Sequence, residues 1–164
     1  MTVRGGLDAL RDGDGVFRIL AIDHRDSLRA YLAPHDPDGV DPAALTRIKV
    51  DLARAVLPLG ATGVMLEPEL SIPQLLDAGV VPDGVGFLAA LEAQGYLADP
   101  GAAPTAVLDG WSVAQAAASG AAACKLLVPY HPDHPIAEQQ EHVAAEILAE
   151  CHRVGIPLAL EPLY

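Results

Sequence analysis

Aromatic residues make up only 4% of this 164-residue chain, two cysteines are its whole thiol complement, and 10 Lys and Arg stand against 22 Asp and Glu. Each scarcity excludes something. With so few rings, the core must be built from Leu, Val, Ile and Ala. That composition suits parallel strands covered by helices, whose strands read as near-continuous aliphatic runs. Cys124 and Cys151 show neither metal nor redox spacing and fall in apolar patterns, so buried free thiols are expected. The formal net charge of −12 argues against nucleic acid and anionic membrane surfaces as partners. It leaves a phosphorylated substrate open, because a local cluster of Arg or Lys decides that. No run approaches the roughly 18 apolar residues of a membrane span, and the first residues, MTVRGGLDALRDGDG, lack the apolar core of a signal peptide. A soluble cytoplasmic protein is expected, with one domain over residues 1–164, long enough for a real core.

Five short aliphatic runs stand out: 17–23 (FRILAID), 62–67 (TGVMLE), 85–92 (VGFLAALE), 122–128 (AACKLLV) and 156–161 (IPLALE). The segments between them carry helix signals. Asp41 followed by Pro42 is an N-cap with proline in the first turn. Leu45, Ile48, Leu52, Ala55, Val56 and Leu59 recur at helical spacing, Pro58 should bend or truncate the last turn, and Gly60 ends it. Lys49, on the border of that stripe, is expected in solvent. Pro135 opens another helix, with Val143, Ala144, Ile147, Leu148 and Cys151 on one apolar face and Gly155 as terminator. Weaker helices are expected over 72–77 and 111–119, and a loop over 98–104. Strand and helix alternate with short connections, the pattern of βαβ units and a parallel sheet.

The charged residues follow the same period. Asp23, Glu67, Glu92 and Glu161 each close an aliphatic run, and Lys125 lies inside one. Side chains alternate across a strand. Leu20 and Ile22 therefore face one way and Ala21 and Asp23 the other, just as Leu158 and Leu160 oppose Ala159 and Glu161. A barrel fits this, with large aliphatics turned to the helices and small or charged residues to the axis. Barrel active sites lie at the carboxyl ends of the strands. An acidic set around one buried lysine suits acid–base or imine chemistry. Taken singly, each acid reads equally well as a helix cap or the start of a solvated loop. Lys125, flanked by Cys124 and Leu126, is costly to bury without a partner; the rival reading has it snorkelling to an edge. His131 and His134 form HPDH in a proline-rich loop without a further ligand at useful spacing, so a solvated loop is expected and no metal.

The segment AIDHRDSL, Ala21 to Leu28, resembles the D-Q-R-x-[AS]-L start of the class I tagatose 1,6-bisphosphate aldolase family and the related sulfofructose-phosphate aldolases. MLEPELSIP resembles that family's L-L-D-P-E-x-G-x-P segment, and LEAQGY its E-x-x-G-Y. AACKLLVPYHPD resembles A-V-K-x-L-L-Y-Y-x-x-D, and ECHRVGIPLALEPLY resembles E-C-x-x-x-x-I-P-x-x-L-E-x-L-x-Y. Five such segments in order cover the chain from about residue 16 to its end.

The resemblance implies a partial (β/α)8 barrel, about the first five units. It also implies a metal-independent, cofactor-free enzyme in which a lysine forms a Schiff base with a ketose phosphate before retro-aldol cleavage. Carried over, Asp23, His24, Arg25 and Glu67 would bind substrate, Lys125 would be an active-site electrostatic partner, and Glu161 the acid/base carboxylate. His24 stands where the family usually has Gln, and Val128-Pro129 alters the fourth-strand end. The family's imine lysine belongs to a sixth-strand K-V-E-V-P segment. On this reading the chain is truncated before it, lacks the phosphate-binding elements of strands seven and eight, and is inactive alone. Two alternatives stand beside it. Lys125 itself could form the imine, as the fourth-strand lysine of transaldolases does. Or the chain is a non-catalytic half-barrel that associates with itself or with a complementary C-terminal half.

Overall fold

All five aliphatic runs become strands of one parallel sheet in chain order. In the computed structural model, which describes residues 6–93, 95 and 103–163, these are β1 (Ile19–Ala21), β2 (Gly63–Leu66), β3 (Gly86–Ala90), β4 (Ala123–Pro129) and β5 (Leu158–Leu163). Each strand pairs with the next. The sheet curls into half a barrel. β1 to β3 are shorter than the runs that announce them, so Asp23, Glu67 and Glu92 sit just beyond the last paired residues rather than within the ladder.

The two faces separate as the alternation requires. Ile22, Val64, Leu66, Phe87, Ala89, Leu91, Cys124, Leu126 and Val128 share the large core with helix residues such as Ala53, Leu75, Val113, Ala116, Ile147 and Cys151. On the concave face Leu88, Ala122 and Ala123 pack with Leu10, against Ile19, Met65 and Ala159. Leu10 follows a short 3-10 turn, Gly6–Ala9, and plugs the amino end of the strands. Glycine is required there: a Cβ at Gly63 would lie 2.9 Å from the Leu10 side chain, and one at Gly86 2.7 Å from the Ala9 carbonyl oxygen.

Helix α1 (Asp26–Leu32) follows β1. The sequence carries no start signal for it, since its N-cap, Arg25, makes no side-chain cap bond. Helix α2 (Pro42–Val56) begins as expected, with the Asp41 side chain accepting from the Ala43 N–H at 3.0 Å. A 3-10 turn over Leu57–Leu59 accommodates Pro58, and Gly60 at φ 101° stops the chain's helical course. Its buried edge is Leu45, Lys49 and Ala53, not the stripe centred on Ile48 and Leu52. Leu52 is 42% and Leu59 82% exposed. Lys49 is therefore not a solvent residue but is fully buried.

Helices α3 (Ile72–Asp77) and α4 (Val113–Ala118) lie within the expected ranges. Helix α5 (Ala137–Val154) starts two residues after Pro135 and ends at left-handed Gly155. Its buried residues are Ala137, Gln140, Ile147 and Cys151, while Leu148 is 55% exposed, contrary to its place on the expected apolar face. The polar Gln140 takes the inward position that hydropathy denies it. Most of the loop expected over 98–104 falls outside the described residues, as do Gln94 and Tyr96 of LEAQGY and the terminal Tyr164. Among the described residues no helix is long and apolar enough to cross a membrane.

Candidate active site

The chain contains two lysines, Lys49 and Lys125, and the site is organised around them. Lys125 projects from the middle of β4 onto the concave face, level with Ala90 on one side and Ala159 on the other. Two small neighbours leave room for a long side chain to run toward the carboxyl ends of the strands. There its Nζ donates to Asp23 Oδ2 at 2.8 Å and Glu92 Oε1 at 2.8 Å, and lies 3.0 Å from Glu161 Oε2. Asp23, Glu92 and Glu161 arrive from β1, β3 and β5, so one ammonium ties together three separate strand ends. Asp23 and Glu92 are buried, whereas the Glu161 side chain is 37% exposed. The other oxygen of Glu92 accepts from the Leu127 N–H at 3.0 Å. Asp23 Oδ1 is buried and has no hydrogen-bond partner among the described residues.

Burial of Lys125 works against its charge, but Glu92 and Asp23 outweigh that cost and hold the ammonium above the ordinary lysine range. Lys49 behaves oppositely. Its Nζ, carried on α2, meets Glu67 Oε1 at 2.6 Å with both side chains essentially buried. Desolvation dominates there, and Glu67 with the weaker pull of Asp23 does not offset it, so Lys49 lies below its ordinary value. Glu67 therefore does not join the Lys125 set, as its place at a strand end suggested. Its second oxygen accepts from the Glu69 and Leu70 N–H groups at 2.8 and 2.9 Å, shaping the turn into α3.

Arg25 is nearly buried. It donates to the Glu92 carbonyl oxygen at 2.7 Å and pairs with Glu69 at 3.3 Å, locking the β1 and β3 ends together. His24 instead lines an apolar groove of about 360 Å³ with Ala21, Ile22, Leu28, Tyr31 and Leu52 along β1, away from the Lys125 cluster. His131 accepts from the Asp133 N–H at 3.2 Å within its loop. Cys124 and Cys151 are free and buried, and burial pushes both thiols above their ordinary range, as befits inert packing.

Glu92, noted in the sequence at a strand end but not among the candidate site residues, joins the Lys125 cluster. Its signal was equal to that of Glu67, and only the turn of the backbone decides which acid faces Lys125.

A profile described as DeoC/LacD family aldolase matches residues 17–164. Tagatose 1,6-diphosphate aldolase of Streptococcus agalactiae serotype V is 30% identical over 159 residues, which cover 96% of this chain and 48% of that enzyme. Tagatose 1,6-diphosphate aldolase 2 of Enterococcus faecalis is 32% identical over 161 residues, covering 96% and 47%. The chain thus spans about half the length of the curated relatives it matches. Among solved structures, a Schiff-base-forming fructose-1,6-bisphosphate aldolase superposes with a TM-score of 0.51 at 21% identity, over 87% of this chain and 50% of the other. A Corynebacterium glutamicum protein gives 0.57 at 19% identity, over 92% and 49%. At these identities the structural likeness shows a common fold.

Proposed function

The chain belongs to the DeoC/LacD aldolase family, and from that premise we propose that it supplies the strand-one-to-five half of a class I, metal-independent aldolase acting in the cytoplasm on a ketose phosphate such as tagatose 1,6-bisphosphate. The products are dihydroxyacetone phosphate and an aldehyde. The observation that carries this reading is the Glu161 carboxylate, part-exposed at the carboxyl end of β5 and 3.0 Å from a buried ammonium. A carboxylate so placed is reachable from the concave side, as a general base must be.

In this reading the substrate carbonyl forms an iminium with a lysine contributed from beyond β5, expelling a water that is returned when protonation and hydrolysis later release dihydroxyacetone phosphate. Glu161 accepts the proton of the substrate hydroxyl, the carbonyl of the aldehyde forms, and the electron pair of the breaking carbon–carbon bond passes to the iminium as an enamine. Asp23, with one buried acceptor that has no partner among the described residues, is suited to a substrate hydroxyl. Lys125 holds the three acids in place around one nitrogen. The rival assignment of the imine to Lys125 is disfavoured, because three carboxylates hold that nitrogen protonated and a nucleophilic amine must be neutral.

The complementary half is proposed to seat on the open sides of the curl. Among the described residues β1 and β5 each pair along one edge, and the groove beside β1, with Tyr31 82% and Leu52 42% exposed, offers an apolar seat. The test joins this chain with the C-terminal half of a full-length relative. Cleavage of tagatose 1,6-bisphosphate is measured, and the dihydroxyacetone phosphate adduct is trapped with borohydride and mapped by mass spectrometry. Turnover should appear only with both halves, the adduct should fall on the added half, and Glu161→Gln should lower kcat by about 100-fold or more. Labelling of Lys125 would transfer the imine to β4. Absence of turnover in a well-folded assembly would refute the aldolase proposal.

A further inference from the structure

Gln140 is the buried polar residue that neither the proposed chemistry nor the helix pattern explains. It sits in the first turn of α5, 1% exposed, where an aliphatic residue would satisfy the core. Both ends of its amide are engaged. Nε2 donates to the Pro129 carbonyl oxygen at 3.0 Å, at the end of β4, and Oε1 accepts from the Thr105 N–H at 2.7 Å. Thr105 is itself 3% exposed, and its hydroxyl donates to the Leu127 carbonyl oxygen at 3.3 Å.

The segment anchored at Thr105 runs directly against Glu92. Ala93 N–H donates to the Ala106 carbonyl at 2.8 Å and Leu108 N–H to the Leu91 carbonyl at 2.9 Å, so the two bonds bracket Glu92 in an antiparallel bridge with Val107. The Glu92 side chain then takes the Leu127 N–H and the Lys125 ammonium. A path of hydrogen bonds and intervening backbone leads from α5 through Thr105 to residue 92, and from its carboxylate to Lys125; Gln140, Thr105, Glu92 and Lys125 along it are buried, while Ala93 and Ala106 are exposed. At Gln140, Thr105, Glu92 and Lys125 the side chains are buried, where water does not readily replace a lost partner, so a displacement of the Thr105 segment is carried to Glu92.

We propose that Gln140 is a positioning residue for the active site: by fixing the Thr105 segment it holds Glu92 at the distance that keeps Lys125 clamped. Its catalytic meaning rests on the aldolase reading above, and its geometry does not. Lys49 supplies an internal control, because it is equally buried but lies outside this path.

The experiment measures solvent exchange of the two lysine ammonium groups by 1H–15N NMR in this chain and its variants. Gln140→Leu should speed exchange at Lys125 by about tenfold, the factor that one lost buried hydrogen bond carries, while Lys49 stays within about twofold. Thr105→Val, which removes the hydroxyl at nearly constant volume, should act in the same direction, and Thr105→Ser should restore the native rate. The threonine pair decides the matter if Gln140→Leu fails to fold. Equal acceleration at both lysines would mean general loosening, and no change at Lys125 would mean the path transmits nothing; either overturns the proposal. In the assembled enzyme, Gln140→Leu should lower kcat about tenfold with KM nearly constant. Lack of turnover in the unsubstituted assembly would refute the aldolase reading alone, with the exchange comparison still deciding the role of Gln140.

Discussion

Lys125 and Lys49 have the same side chain and the same lack of solvent, and the fold sets them on opposite electrostatic courses. Lys125 lies inside the curl of the sheet, where three strand ends converge and each brings a carboxylate. Lys49 lies on the flank, where α2 crosses β2 and one carboxylate is within reach. Desolvation penalises both charges. The number of partners decides the outcome, so the first lysine is held charged and the second is pushed toward neutrality. A curled parallel sheet concentrates charge at its carboxyl end because every strand ends there, whereas a helix flank presents one turn at a time.

The sharpest way to break the comparison is to delete the more heavily partnered lysine. Lys125→Met leaves Asp23 and Glu92 buried without their cation, and should cost about 3 to 5 kcal/mol in urea unfolding. A loss under about 0.5 kcal/mol would place the cluster in solvent. Lys49→Met should cost less, about 2 kcal/mol, because Glu67 keeps two backbone N–H donors. Adding Glu67→Gln to Lys49→Met should recover most of that loss. If the double variant is worse than the single, the pair is more than a charge match.

An alkaline scan sharpens the contrast further. A lysine raised in the folded state contributes stability that is complete below its ordinary value of 10.5 and is lost as pH climbs through the folded value. A lysine lowered in the folded state binds fewer protons than the unfolded chain between its folded value and 10.5, so stability is gained as pH rises across that interval. Between pH 7 and 10.5 the advantage of the native chain over Lys49→Met should therefore widen, while its advantage over Lys125→Met stays level. Parallel curves would erase the distinction. The smallest stability effect belongs to Glu161→Gln, within about 1 kcal/mol because the group is 37% exposed. A loss as large as that of Lys125→Met would make Glu161 a structural acid rather than an available one.

Much of this was legible in the residues. The five strands, the α2 start at Asp41-Pro42 and the alternation that sends Asp23 and Glu161 to the concave face all follow from period and caps, which are local. Lys125 within an aliphatic run was legible for the same reason. Lys49 was not, because a lysine on the border of a helical stripe has the same pattern whether the helix turns that border in or out. Gln140 escaped notice likewise, since hydropathy assigns a glutamine outward unless a tertiary partner claims it. Helix α1 gave no cap signal, and Leu148 was assigned to a face that α5 turns to solvent.

By itself the sequence determined the order of the strands and of every helix but α1, the face of each strand, and the presence of acids at the strand ends. Those depend on neighbours two to four residues apart, whose spacing the backbone geometry dictates. Only the tertiary structure decided which acid meets which lysine. The curl of the sheet brings Asp23, Glu92 and Glu161 to one nitrogen, and the packing angle of α2 gives Glu67 to the other. Such pairings join residues as far apart as 102 positions, and they depend on strand twist and helix orientation, which no local pattern encodes.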